Sequence, residues 1–177
     1  MEKVKNQKWT EKDGVVYFSV TSDGTTGEEW VDRLKREFFC LDSYTESMLC
    51  SESFKSTSGI TYEIAVLKDE LFSDRKRTTK NIQKYAESRK LTTPSAEIGC
   101  LIHEKFSAED LNAMGLYWIV IMHEPIKTFS GDFCIFSVES DDFYYDSCLI
   151  PSLDGPENRW HCSNGFAFVV SQTQVSE

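Results

Sequence analysis

The sequence predicts an α+β fold: a helix-rich N-terminal part packed with a C-terminal antiparallel β-meander in one domain. Three observations carry this expectation. Apolar residues recur at helical spacing up to about Gly115. From Leu116 onward, strand-like runs alternate with turn residues. The chain has 177 residues, the ordinary size of one domain, and it can bury a core without staples. The expected boundaries are a flexible N-terminal tail over 1–13, one domain over 14–172 and a flexible C-terminal tail over 173–177.

Val15–Thr21 is rich in β-branched and aromatic residues and reads as a strand. Thr26-Gly-Glu-Glu29 fits a capping box, and Trp30, Leu34 and Phe38 follow at four-residue spacing as one apolar helix face. Ser43–Leu49 reads as a short helix. Ile60, Tyr62, Ile64 and Val66 alternate with their neighbours as a strand does. Thr78–Arg89 predicts a helix with Ile82, Tyr85 and Ala86 inward. Thr93-Pro94 reads as a helix start, and Ser107 caps another helix that Gly115 ends. Leu116–Met122, Phe133–Val138, Phe143–Ile150 and Phe166–Ser171 are the expected strands of the meander.

No stretch reaches the ~18 apolar residues of a membrane span. The charged start, Met1-Glu-Lys-Val-Lys, is followed by no apolar region, so the expected location is the cytoplasm, with no membrane involved. In that setting the six cysteines, at 40, 50, 100, 134, 148 and 162, are expected to be reduced.

Net charge is −10 and unevenly placed. Residues 1–105 hold 17 Lys and Arg against 18 Asp and Glu. Residues 106–177 hold only Lys127 and Arg159 against 11 acids. Asymmetry of this kind bears on partners rather than on fold.

The candidate chemistry is sparse. His103, His123 and His161 sit beside Glu104, Glu124 and Cys162, but no two histidines stand at ligand spacing on one element. Ser22-Asp-Gly-Thr-Thr-Gly27 precedes a helix and could hold an anion on backbone amides, although Glu28 and Glu29 would repel one. The segment from Arg75 to Lys90 is strongly basic. Arg77, Lys80 and Lys84 stand at i, i+3 and i+7, so with Arg75 they form a candidate face for RNA or another partner. Its counterpart is the acidic part, where Asp141, Asp142, Tyr144, Tyr145 and Asp146 form the candidate partner-binding face, with Phe143 and Trp160 as further aromatics. Either run of charge also reads as a solvated surface. No cofactor, metal or catalytic residue is expected.

Thr21-Ser-Asp-Gly-Thr-Thr-Gly-Glu-Glu-Trp30, Leu91-Thr-Thr-Pro-Ser-Ala-Glu97, the run from Ala113 to Ile126, and Gly165-Phe-Ala-Phe-Val-Val170 resemble a family of small uncharacterised bacterial proteins. The resemblance spans most of residues 21–170. It implies a bacterial or mobile-element origin and no chemistry. In size and charge style alone, the chain also resembles anti-CRISPR proteins. The resulting expectation is an acidic, non-enzymatic protein that inhibits a basic nucleic-acid-binding protein, such as a CRISPR effector nuclease with its guide RNA. The alternatives are a metal-dependent hydrolase or nuclease using His123 and Glu124, and an RNA-binding module using the 75–90 helix.

Overall fold

The computed structural model describes residues 8–37, 41–141 and 146–175. In chain order the elements are β1 (Thr10–Lys12), β2 (Val15–Asp23), α1 (Gly27–Glu37), α2 (Ser43–Leu49), β3 (Ser58–Lys68), α3 (Thr79–Ser88), α4 (Glu97–Lys105), α5 (Ala108–Ala113), β4 (Trp118–Ile121), β5 (Ile126–Lys127), β6 (Phe133–Asp141), β7 (Asp146–Leu153) and β8 (Asn164–Gln174). Two short 3-10 turns, Asp69–Leu71 and Asp74–Lys76, lead from β3 to α3.

The mixed α and β content agrees with the sequence, but the expected division does not hold. Strands come first, and β1, β2 and β3 supply one half of the sheet. Asp13 and Gly14 both have positive φ, at 52° and 75°, and this turns β1 tightly back into β2. Thr10 pairs with Tyr17 and Lys12 with Val15, so the expected N-terminal tail contains a paired strand. At the other end β8 runs to Gln174, past the expected boundary at 172.

The C-terminal strands are not a simple meander either. β6 and β7 form the expected hairpin, from Asp141↔Asp146 to Cys134↔Leu153. β8 leaves them and lies between β3 and β4, antiparallel to the first and parallel to the second. The reason is its composition. Phe166, Ala167, Phe168 and Val169 are apolar on both faces, and only a central strand with both faces covered buries such a run. β4 and β5 pair with the same edge of β6, at Val120↔Ser137 and Ile126↔Cys134, and act as one interrupted strand.

The sheet carries a core on each face. Val16, Phe18 and Val20 point one way and pack with α1, α4 and α5 residues such as Trp30, Ile98, Ile102 and Leu111. Val15, Leu67, Phe166 and Phe168 point the other way and meet Ile82 and Ala86 of α3, together with Phe72 and Trp160. The period-2 alternation of β2 is what separates the two cores.

Local signals place the helices. Thr26 and Glu29 make the expected reciprocal cap: the Thr26 amide donates to the Glu29 carboxylate at 2.8 Å, and the Glu29 amide to the Thr26 hydroxyl at 3.3 Å. Ser107 and Asp110 repeat this arrangement for α5. Trp30 and Leu34 are buried as expected; Phe38 lies outside the described residues. α4 begins at Glu97 rather than at Thr93-Pro94, because Thr92 is held as an isolated bridge to Val169 and the chain must still turn off the sheet.

Both outer strands resist further pairing. β1 has three residues, and β7 carries Pro151, which offers no amide. No described helix is long and apolar enough to cross a membrane.

Candidate interaction surfaces

His123 follows β4 at the interruption before β5. Its Nδ1–H donates to the Glu124 carbonyl at 2.7 Å, and its Nε2 accepts the Phe136 amide at 2.8 Å. The Phe136 amide falls between the β4 and β5 pairings, so the imidazole stands in for a missing strand acceptor. Both ring nitrogens are thus committed to main-chain groups. Burial lowers the pKa from 6.5 to about 4, only partly opposed by the bond to Glu124. Glu124 itself faces solvent. The pair proposed for hydrolysis is therefore a structural plug beside an exposed acid. Among the described residues, no three His, Cys, Asp or Glu side chains are grouped to hold a metal ion.

This plug has a measurable consequence. In the unfolded chain a histidine titrates near 6.5. Between that value and about 4, the unfolded chain binds a proton that the folded protein excludes. Stability is complete above the upper limit and falls as pH drops through the window, by up to about 3 kcal/mol. Urea unfolding at pH 7 and pH 5 should show a loss of about 2 kcal/mol from this group. His123→Gln, which keeps an acceptor for Phe136, should lack that component. An equal pH response in both proteins would contradict the assignment.

The Ser22–Gly27 turn does not cradle an anion. The Thr25 amide donates to Asp23 at 3.0 Å and the Thr26 amide to Glu29 at 2.8 Å, so the chain's own carboxylates take these donors. Arg33 lies over the Trp30 ring at 4.4 Å and binds Glu104 at 2.8 Å, which ties α1 to α4.

The basic segment divides in two. Arg77 precedes α3 rather than lying on it, and it is 7% exposed. Its Nη2 donates to Asp74 at 2.9 Å. The expected shared face of Arg77, Lys80 and Lys84 is therefore corrected: the helix starts at Thr79, capped by Thr78, and the spacing has no meaning before its first turn. Arg75, Lys80 and Lys84 are exposed. Lys80 stands 4.0 Å from Glu157. The α3 N-terminus is latched to the 154–160 loop. The Thr79 and Lys80 amides donate to the carbonyls of Asn158 and Pro156, and the Thr79 hydroxyl donates to Asp154. Trp160 closes the latch through Nε1 to the Thr79 hydroxyl at 3.0 Å. It is buried, and so it is not the exposed anchor that the sequence suggested.

Of the acidic candidates, Asp141 and Asp146 lie at the facing ends of β6 and β7. Asp142, Tyr144 and Tyr145 lie outside the described residues, as does Phe143. The contact expected from the sequence thus falls where β6 ends and β7 begins. The topology adds a separation in space. The charge-balanced stretch supplies β1, β2 and β3, while the net-negative stretch, poor in Lys and Arg, supplies β4 to β7, with β8 between them.

Two features escaped sequence reasoning. Glu97 is 2% exposed, and its carboxylate accepts the Thr57 amide at 2.7 Å, the Thr57 hydroxyl at 2.5 Å and the Tyr62 hydroxyl at 3.3 Å. It bolts the loop before β3 to the start of α4. Burial, with the neighbouring Glu97 charge second, holds the Cys100 thiol well above the ordinary range, so this thiol is inert. No signal in the sequence distinguished Glu97 from a surface acid. The second feature is an exposed apolar corner, where the Tyr44 and Phe129 rings stack at 4.7 Å and Leu153 is exposed at the end of β7, on the Cys134 face of the sheet. Part of its signal was legible, since Phe129-Ser-Gly-Asp sets an aromatic in a turn.

No family model matches the chain, and comparison with curated proteins and with solved structures gives no match.

Proposed function

We propose that this protein is a non-catalytic docking protein that binds a basic nucleic-acid-binding protein and blocks its nucleic-acid function. A CRISPR effector nuclease with its guide RNA is the specific partner the proposal names, and the cytoplasm its place of action. The observation that supports the reading is the charge separation. Nine of the ten excess negative charges belong to residues 106–177, whose strands β4 to β7 form one side of the sheet. Carboxylates on a paired sheet are held in place before docking, so less freedom is lost on binding. Their summed field speeds encounter with a positive groove, and salt screens that advantage. The contact named is Asp141, Asp142, Tyr144, Tyr145 and Asp146, from the end of β6 to the start of β7.

The test is affinity capture by the immobilised protein from bacterial lysate, with and without RNase, at low and high salt. The retained protein is then purified and its nucleic-acid binding is titrated with the wild type and with the triple variant D141K/D142K/D146K. The expected result is a basic protein retained regardless of RNase, inhibited by the wild type, with both effects weakened by salt and by charge reversal. Retention that RNase abolishes would move the assignment to RNA and to the exposed Arg75, Lys80 and Lys84. A folded triple variant that inhibits like the wild type would remove these residues from the site.

A further inference from the structure

The exposed corner at the Thr128–Asp132 turn carries an inference that rests on the reading above and specifies how the partner is gripped. Three large apolar side chains stand in the open on the α2 side of this sheet end: Tyr44 at 39%, Phe129 at 63% and Leu153 at 66% exposed, while Phe133, next to Cys134 in β6, alternates to the other face. A single exposed apolar residue means little, whereas a gathered set marks an interaction surface. This set is held in place. The Tyr44 ring stacks on Phe129 with 28° between planes, and the Phe129 amide donates to the Ser47 hydroxyl at 3.1 Å. The Thr128 amide donates to the Asp132 carbonyl at 2.8 Å, closing the turn, and the Asp154 amide donates to the Phe133 carbonyl at 3.1 Å. Leu153 stands directly across the ladder from Cys134.

The surroundings are acidic. Cys134 is buried, and burial first, then the charges of Asp132, Asp154 and Asp42, push its thiol up, which places all three carboxylates around this strand end. Glu46 is nearby on α2 and is paired with Lys35 at 2.9 Å. Lys127, across the ladder from Phe133, is the cation on β5.

Charge decides the class of occupant. A second copy would press like-charged corners together on chains that each carry −10. Anionic lipid would be repelled for the same reason. A basic protein is attracted, and arginine suits both parts of the site, binding carboxylates at the rim and stacking on the aromatic rings. Strand geometry decides the form. Pro151 in the outer strand β7 removes a donor that an added strand would need, so the partner meets side chains rather than backbone.

We propose that the Tyr44, Phe129 and Leu153 corner is the anchoring site for an amphipathic helix of the partner that bears leucine-like residues between arginines. The probe is a labelled synthetic helical peptide with leucine on one face and arginine on the other. Its controls replace every Leu by Ser or every Arg by Glu. Anisotropy titrations use the full chain, the double variant F129S/L153S, and V170S, which alters an exposed apolar residue on β8. The Leu/Arg peptide should bind the wild type about tenfold or more tightly than the Ser/Arg peptide. F129S/L153S should erase that difference, V170S should preserve it, and the Glu peptide should not bind.

The outcomes separate the two readings. Equal binding of the Leu/Arg and Ser/Arg peptides would leave the acidic-surface reading standing and overturn the corner. Failure of both arginine peptides to bind would remove both readings. Self-association of the wild type in sedimentation, lost in F129S/L153S, would make the occupant a second copy and overturn the proposal. The peptide substitutions leave the protein itself unchanged, so the comparison does not depend on how well a variant folds.

Discussion

Arg77→Glu is expected to cost about 4 kcal/mol or more of stability, enough to unfold a marginal domain. The sequence suggested that this residue shares a solvated face, where charge reversal costs little. The structure reverses that expectation. The Arg77 side chain is 8% exposed and lies against two acids, Asp74 at 2.9 Å and Asp69 at 4.0 Å. The carbonyls of Phe72 and Trp160 stand 3.5 Å from its guanidinium, and its own carbonyl accepts the Trp160 amide at 2.9 Å. A glutamate here would bury a carboxylate among acceptors and like charges, with no donor to receive it. It would also release the 154–160 loop from α3. Arg77→Lys keeps the charge but loses the planar fork, so its cost should be smaller. Lys80→Glu and Lys84→Glu should stay within about 0.5 kcal/mol, as exposed changes usually do. Urea unfolding of the four variants gives the ranking. A loss below about 1 kcal/mol for Arg77→Glu would mean that the guanidinium is solvated.

The same residue shows how far the sequence could be read. Spacing at i, i+3 and i+7 describes a face only once the helix start is known. Thr78 is a good cap, and a helix that begins after it excludes Arg77. The information was present, but the charge run obscured it. The helix signals with a physical mechanism were mostly legible: the reciprocal caps at Thr26 and Ser107, and the apolar spacing of Trp30 and Leu34. The exception, Thr93-Pro94, is a local signal overridden by the bridge that holds Thr92 against β8. Strand order was harder. Phe166–Val169 is apolar on both faces, which already calls for a central position, but nothing local names β3 and β4 as its neighbours.

The candidate site divides along the same line. Charge is a property of the sequence, so the acidic stretch was visible, and the sheet order set its strands β4 to β7 on one side of β8. The corner needs Tyr44 beside Phe129, residues far apart in the chain whose contact exists only after α2 packs beside the β5–β6 turn. The bolt at Glu97 is of the same kind. Its partners, Thr57 and Tyr62, are supplied by another segment, and an isolated glutamate at a helix start looks like any first-turn acid.

Gly27→Ala is expected to destabilise the protein by about 3 kcal/mol or more, well beyond a helix-propensity effect, which would favour alanine. The reason is space, since the backbone of this glycine is not among the positive-φ positions. A Cβ here would stand less than 2.5 Å from the Leu49 carbonyl oxygen and 2.8 Å from its carbon, with the Phe54 ring 3.2 Å away. The first turn of α1 therefore lies directly against the C-terminal end of α2. The obstacle is backbone, so rotating a side chain cannot relieve it. One helix must back away, and α1 carries Trp30 and Leu34, which are 2% and 4% exposed, out of the core with it. Gly155→Ala is the matched control, because a Cβ there meets nothing within 4 Å. Its stability should change by less than about 0.5 kcal/mol. Denaturant unfolding of the two variants side by side makes the comparison. If both unfold at the wild-type midpoint, the close approach of α1 and α2 is wrong, and with it the placement of Tyr44 beside Phe129.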